Sequence, residues 1–275
     1  MVRAPGYREW RPAAPLLRHV VCTWAGRLGP GGETYTDSVL PDGCIDVVWD
    51  GAWLFVAGPD TGPVPVARHP GSFYVGLRFR PGLAAGVLGV PASTLLDRRV
   101  DAADLLGGRA DRLAATLHGA KSLRAAAHAL ELELVGWLPD AAPPDRLVEA
   151  AVAALAAGAA RPVSALADRL GVSERQLHRR CTAAVGYGPK TLHRVLRFRR
   201  FLALAGRSPG FGLARLAVEA GYADQAHLTR ETQRLAGAPP TALLPAALLT
   251  TSSTVPAQRP IRSRRASRPN PMLGR

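Results

Sequence analysis

Val163-Ser-Ala-Leu-Ala-Asp-Arg-Leu-Gly-Val-Ser-Glu-Arg-Gln-Leu-His-Arg-Arg-Cys181 decides how the C-terminal half folds. Leu166 and Leu170, four residues apart, lie on the inward face of a short helix. Gly171 ends that helix where a sharp turn needs left-handed backbone. Ser173 then opens a second helix, and Gln176, three residues on, completes a capping box for amides that would otherwise lack partners. In this second helix Leu177, Cys181 and Val185 share one face, while Arg175, His178, Arg179 and Thr182 share the other. A helix with a core stripe on one side and a basic, hydrogen-bonding stripe on the other suits the major groove of DNA. One such hairpin is weak on its own, because an ordinary pair of helices with a solvated face looks the same. Cys181 is expected to be a small buried apolar residue rather than a reactive thiol.

A second copy changes the balance. Leu213-Ala-Arg-Leu-Ala-Val-Glu-Ala-Gly-Tyr-Ala-Asp-Gln-Ala-His-Leu-Thr-Arg-Glu231 repeats the pattern, with Leu216 and Ala217 inward, Gly221 at the turn and Asp224 as the cap. The helix after Asp224 places Leu228, Thr232 and Leu235 inside and Gln225, Ala226, Thr229, Arg230 and Gln233 outside. Between the copies, residues 190–204 predict a connecting helix with Leu192, Val195, Phe198 and Leu202 buried. Arg194, Arg197 and Arg200 would form a basic ridge along it. A rod of this kind can hold two recognition helices on one side of a duplex, where successive major-groove turns lie ~34 Å apart.

Residues 146–243 resemble the DNA-binding domain of the AraC/XylS family of transcription regulators. Gly221-Tyr-Ala-Asp-Gln-Ala-His-Leu-Thr-Arg-Glu is close to the family signature, and Gly186-Tyr-Gly-Pro and Gly237-Ala-Pro-Pro fall where the family closes each unit. The resemblance implies base contacts from Arg175, His178 and Arg179 in the first unit and from Gln225, Ala226 and Arg230 in the second. The chemistry agrees, since Arg pairs bidentately with guanine, Gln with adenine, and Ala touches a thymine methyl. Ser173, Arg194, Arg197, Arg200 and Thr229 are the expected phosphate contacts. Cys181 and Thr232 stand where the family usually has a core Phe, so tighter packing is lost at both places.

The first ~80 residues predict short strands at 20–24, 34–40, 45–49, 53–57 and 73–79, with turn residues between them. Helices are predicted at 83–90, 102–106, 111–117 and 123–138, before Asp140-Ala-Ala-Pro-Pro breaks the chain. The expected fold class is α+β: a β-rich, cupin-like sandwich or barrel with following helices, then an all-α domain of two helix-turn-helix units joined by a linker helix. Domain limits are expected at 1–140 and 141–250, with a disordered basic tail at 251–275. Leu40-Pro-Asp-Gly-Cys-Ile-Asp, Phe55-Val-Ala-Gly-Pro, Val75-Gly-Leu-Arg-Phe-Arg-Pro-Gly and Leu88-Gly-Val-Pro-Ala-Ser resemble the N-terminal domain of one AraC-type subgroup. That resemblance implies a sensing or dimerising role without naming a ligand. Arg78 and Arg80 alternate along one predicted strand and are candidates to meet an anionic effector, although a solvated strand face explains them equally well.

Charge supports the division. Residues 1–144 are neutral, residues 145–250 carry net +8 and the last 25 residues carry +6, which accounts for the chain total of +14. All the excess lies in the half expected to meet a polyanion. Three cysteines with no CxxC pair argue against a disulfide framework or a structural zinc site. Neither a membrane span nor a secretory leader is visible, so a cytoplasmic address is expected. His19, Cys22, Cys44, Asp46 and His69 have no spacing diagnostic of a metal or catalytic cluster, so neither catalysis nor a cofactor is expected. Three readings stay open: a regulator controlled by a small effector, a DNA-tethered enzyme, and a ligand-independent dimeric regulator. Double-stranded DNA is the expected partner, with a small effector, RNA polymerase and a second copy of the chain as further candidates.

Overall fold

Alternating apolar and polar residues build the N-terminal strands, and the computed structural model, which describes residues 6–31, 33–158, 162–208 and 210–244, shows eight. They are β1 (Arg8–Trp10), β2 (Val20–Arg27), β3 (Tyr35–Val39), β4 (Asp46–Trp49), β5 (Leu54–Ala57), β6 (Val64–Arg68), β7 (Phe73–Phe79) and β8 (Arg99–Asp101). Six form an antiparallel sheet in the order β1-β2-β7-β4-β5-β8, and β3 pairs with β6 as a separate ribbon. All four residues of β4 are buried, as the middle of such a sheet requires. Close packing between β2 and β7 depends on Gly76: a Cβ there would lie 2.4 Å from the Trp24 ring.

Helices α1 (Ala84–Leu88), α2 (Ala102–Leu106), α3 (Gly108–His118) and α4 (Leu123–Trp137) follow. Ser122 caps α4, which packs on β2 and β7. The buried Glu131 of α4 is satisfied by the Thr23 hydroxyl of β2, which donates to it over 2.8 Å. The β-rich domain with following helices is as expected. The strands missed by the sequence pattern are the three-residue β1 and β8, and β6, where Pro65 interrupts the signal.

Beyond the break, α5 (Arg146–Ala156), α6 (Val163–Arg169), α7 (Glu174–Val185), α8 (Pro189–Arg207), α9 (Leu213–Ala220) and α10 (Gln225–Ala236) gather around a second core. With 19 residues, α8 is longer than expected and spans about 28 Å. Leu40 and Leu96 of the N-terminal part pack against this second core. The described residues of the second core therefore share a surface with the N-terminal part. The tail 251–275, expected to be disordered, lies outside the described residues.

Candidate nucleic-acid interface

Each recognition helix is set by local chemistry that the sequence announces. In the first unit α6 ends at a left-handed Gly171 (φ 66°), and Ser173 and Gln176 form the complete capping box at the start of α7. In the second, α9 ends at Gly221 (φ 92°) and Asp224 caps α10 by accepting the His227 amide at 2.6 Å. Leu177, Cys181 and Val185 are buried on α7, as are Leu228, Thr232 and Leu235 on α10. The opposite faces are therefore presented outward.

Arg175, His178 and Arg179 of α7 are exposed, as are Gln225, Ala226 and Arg230 of α10. Among the described residues, the side chains of Arg175, Arg179 and Arg230 have no ion pair or hydrogen bond within the chain, so their guanidinium groups are available to a ligand. His178 folds back toward the loop after α7, where a Cβ at Gly188 would lie 2.5 Å from its ring. Arg175, Gln176, His178, Arg179 and Thr182 line an open groove of about 770 Å³, together with Pro91 and Ser93 of the N-terminal domain. The exposed face of the first unit is thus bordered by the other domain.

The expected basic ridge on α8 is largely engaged within the protein. Arg194 Nε and Nη2 donate to Glu231 of α10 at 3.1 and 3.2 Å, and Arg197 reaches the same carboxylate at 3.5 Å. Arg197 also lies over the Tyr222 ring, 4.5 Å from its centre. These two side chains brace α10 against α8, which differs from the free phosphate grips expected of them. The reason lies in the buried Glu231, which must have cationic partners. Arg200 donates to the Ala157 carbonyl at 3.3 Å and Thr229 to the Gln225 carbonyl at 2.9 Å. Both stay at the surface, as does Ser173 at the α7 N-terminus.

Pattern reading also missed Arg180, which lies between the reading and buried faces of α7. Its guanidinium donates twice to Asp145 at 2.6 Å, while the same carboxylate caps α5 by accepting the Leu147 and Val148 amides. Desolvation raises the Asp145 pKa, but the Arg180 hydrogen bonds and the backbone amides outweigh it and hold the carboxyl below its ordinary value. Acids opposite Arg194, Arg197 and Arg180 were legible only as isolated negative charges in a basic segment.

In the N-terminal domain Arg78 is already neutralised. Asp46 accepts from its Nε and Nη2 at 3.1 and 3.0 Å, and Asp42 lies 3.4 Å away. The two carboxylates occupy the place expected for an anionic effector, because a guanidinium buried in this sheet needs counter-charges of its own. Arg80 lies just past the end of β7, and its Nε donates to the Leu17 carbonyl at 3.2 Å. Asp42 also accepts Arg199 of α8 through its backbone carbonyl at 3.0 Å, so the Leu40-Pro-Asp-Gly-Cys stretch faces the second domain. Cys181 is fully buried, and desolvation pushes its thiol to about 11. Among the described residues no group of three or more His, Cys, Asp or Glu side chains could hold a metal ion, and no helix is long and apolar enough to cross a membrane.

Comparison with known proteins accords with this geometry. Residues 166–245 match the family model described as a helix-turn-helix domain, and residues 8–101 match a domain of unknown function (DUF6597). The chain thus carries a helix-turn-helix domain, a fold that binds DNA, behind that N-terminal domain. Among solved structures it is similar to ToxT from Vibrio cholerae O395, at 11% identity and a TM-score of 0.47, over 83% of this chain and 97% of that one. A second ToxT structure, bound to (E)-4-(8-methylnaphthalen-1-yl)but-3-enoic acid, aligns at 10% identity and the same TM-score, over 82% and 98%. No curated protein matches the sequence.

Proposed function

We propose that the protein reads a two-block operator by laying α7 and α10 in successive major grooves. Arg175, His178 and Arg179 read bases in one block, and Gln225, Ala226 and Arg230 read them in the other. Ser173, Thr229 and Arg200 grip phosphates, while Arg194 and Arg197 act by holding α10 in place. The observation that carries this reading is the pair of matched recognition helices whose outward arginines, Arg175, Arg179 and Arg230, have no partner among the described residues. The N-terminal domain is the regulatory part, and a small effector is its expected input. It borders the groove at α7, so a shift of that domain reaches the reading face directly. RNA polymerase is the partner an activator needs, a homodimer would double the reading surface, and the working compartment is the cytoplasm.

Selection from a random DNA pool with the full chain at physiological salt tests the proposal. One motif of two short blocks about one helical turn apart is the expected result. Arg230→Ala should cost about 1–3 kcal/mol in affinity and relax specificity at one position, whereas Arg200→Ala should weaken all sequences alike and flatten the salt slope by about one. No enrichment, with binding that vanishes as salt rises, would reduce the protein to charge-driven affinity and overturn the reading.

A further inference from the structure

The loop 58–63, between β5 and β6, is held far more firmly than a connection requires. Asp60, almost fully buried, forms a two-point ion pair with Arg99 at 2.8 and 2.9 Å. Asp97 accepts the Thr61 amide at 2.6 Å and the Thr61 hydroxyl at 2.8 Å. To do so it adopts φ 54°, the sole positive φ at a non-glycine among the described residues. Left-handed backbone is uncommon for a side-chain-bearing residue, and Asp tolerates it where its carboxylate finds local hydrogen bonds such as those to Thr61. Backbone bonds from Gly58 to Arg98 and from Asp97 to Pro59 complete the clamp.

Both ends of this clamped loop touch the DNA-binding half, and each touches a different unit. Pro59 packs on Gly186, the glycine that closes the first unit: a Cβ there would lie 2.5 Å from the Pro59 ring. Pro63 lies against Gly237, which closes the second unit, with the corresponding distance 3.5 Å. Both glycines are left-handed helix ends, immediately after α7 and α10. The helix α8 already joins the two units and braces the second through Arg194, Arg197 and Glu231, but none of those bonds links the closing glycines Gly186 and Gly237 to each other. A second strut from Gly186 to Gly237 closes the frame.

We infer that the loop 58–63 is a spacing gauge for the operator, fixing the separation and relative rotation of α7 and α10 and hence the one spacer length the protein accepts. Pro59 and Pro63 are the positioning residues, and the Asp60–Arg99 and Thr61–Asp97 pairs keep the gauge stiff. The inference rests on the tandem reading of DNA proposed above. It gives the N-terminal domain a part in sequence choice without any base contact.

The test uses the full chain, wild type and the double variant Pro59→Ala, Pro63→Ala, which leaves both clamping pairs intact. Each is measured against the selected operator and against operators with one base pair added to or removed from the spacer. One base pair shifts the second block by about 3.4 Å along the axis and rotates it by about a tenth of a turn. Wild type should lose about tenfold or more in affinity for each altered spacer, while the variant should lose about threefold or less and keep the same base preferences within each block. Thermal unfolding is followed in parallel, and Asp60→Asn, which leaves Arg99 one acceptor instead of two and so loosens the clamp while keeping Pro59 and Pro63, should fall between the two. A variant that folds and keeps the wild-type spacer penalty overturns the gauge alone. A wild type that selects only a single block overturns the tandem reading and the gauge with it.

Discussion

The two helix-turn-helix units share one sequence grammar and are held in place by different means. The first leans on its neighbours: Arg180 of α7 is tied to Asp145 at the start of α5, and Gly186 sits against Pro59 and the Ala92 carbonyl of the N-terminal domain. The second is braced from within the DNA-binding domain, by Arg194 and Arg197 of α8 converging on Glu231. Both carry a small buried side chain in the middle of the outward-facing helix. Cys181 fills the first position as a small buried thiol, and Thr232 fills the second with its hydroxyl turned back on the Leu228 carbonyl at 2.7 Å. Ion pairs at the edges of the core hold both helices: Arg180 to Asp145 on α7, and Glu231 to Arg194 and Arg197 on α10. A further consequence is that both outward-facing helices meet the N-terminal domain at their closing glycines, while the ion-pair brace from α8 falls on the second.

Removal of Glu231 should break this comparison most severely. Glu231→Ala leaves Arg194 and Arg197 without their counter-charge in a half-buried setting. It should cost about 3 kcal/mol, the low end for a broken buried pair because part of Arg194 reaches solvent. Urea unfolding of the full chain reads the loss, and a change below about 1 kcal/mol would show that the brace contributes little.

A smaller effect belongs to the first unit. Asp145→Ala removes both the α5 cap and the partner of Arg180, together about 1–2 kcal/mol. The pH dependence has a definite sign. Since the folded-state carboxyl of Asp145 lies below its ordinary value, its contribution is complete above about pH 4 and is lost as the pH falls through the depressed folded value. The difference in stability between wild type and Asp145→Asn should therefore shrink on acidification below pH 4; a difference that grows there would contradict the pairing.

The smallest changes concern the two substituted core positions. Thr232→Val should alter stability by less than about 1 kcal/mol, because the hydroxyl it removes is satisfied within its own helix turn. A loss of several kcal/mol in unfolding experiments would mean that the hydroxyl, rather than the methyl, holds α10. Cys181, with Cys22 and Cys44 equally buried, should resist an aqueous thiol reagent at pH 8 in the native protein and react only once the chain is unfolded. Rapid labelling of one native thiol would show that a core is open.

Much of the architecture is legible in the sequence. Period-3.6 stripes placed α7, α8 and α10, and Gly171, Ser173, Gly221 and Asp224 marked their turns and caps, because these depend on contacts only a few residues apart. The strands at 20–24 and 73–79 were visible for the same reason, whereas β1 and β8 were too short to show a period. The outward place of Arg175, Arg179, Gln225 and Arg230, proposed as base readers, follows from their position opposite the core stripe. Their exposure was decided with that stripe.

What the sequence by itself determined, then, is local: two helical hairpins in tandem, a β-rich leader and an excess of arginine in the DNA-binding half. Which arginines remain free was decided only by the tertiary structure. Arg194, Arg197 and Arg200 are indistinguishable as a helical ridge, yet the first two meet Glu231, 37 and 34 residues further on, and Arg78 meets Asp46, 32 residues back. A charge is available to DNA when no counter-charge lies within a few ångströms, and distances of that kind are made by the packing of whole elements, which no helical period records.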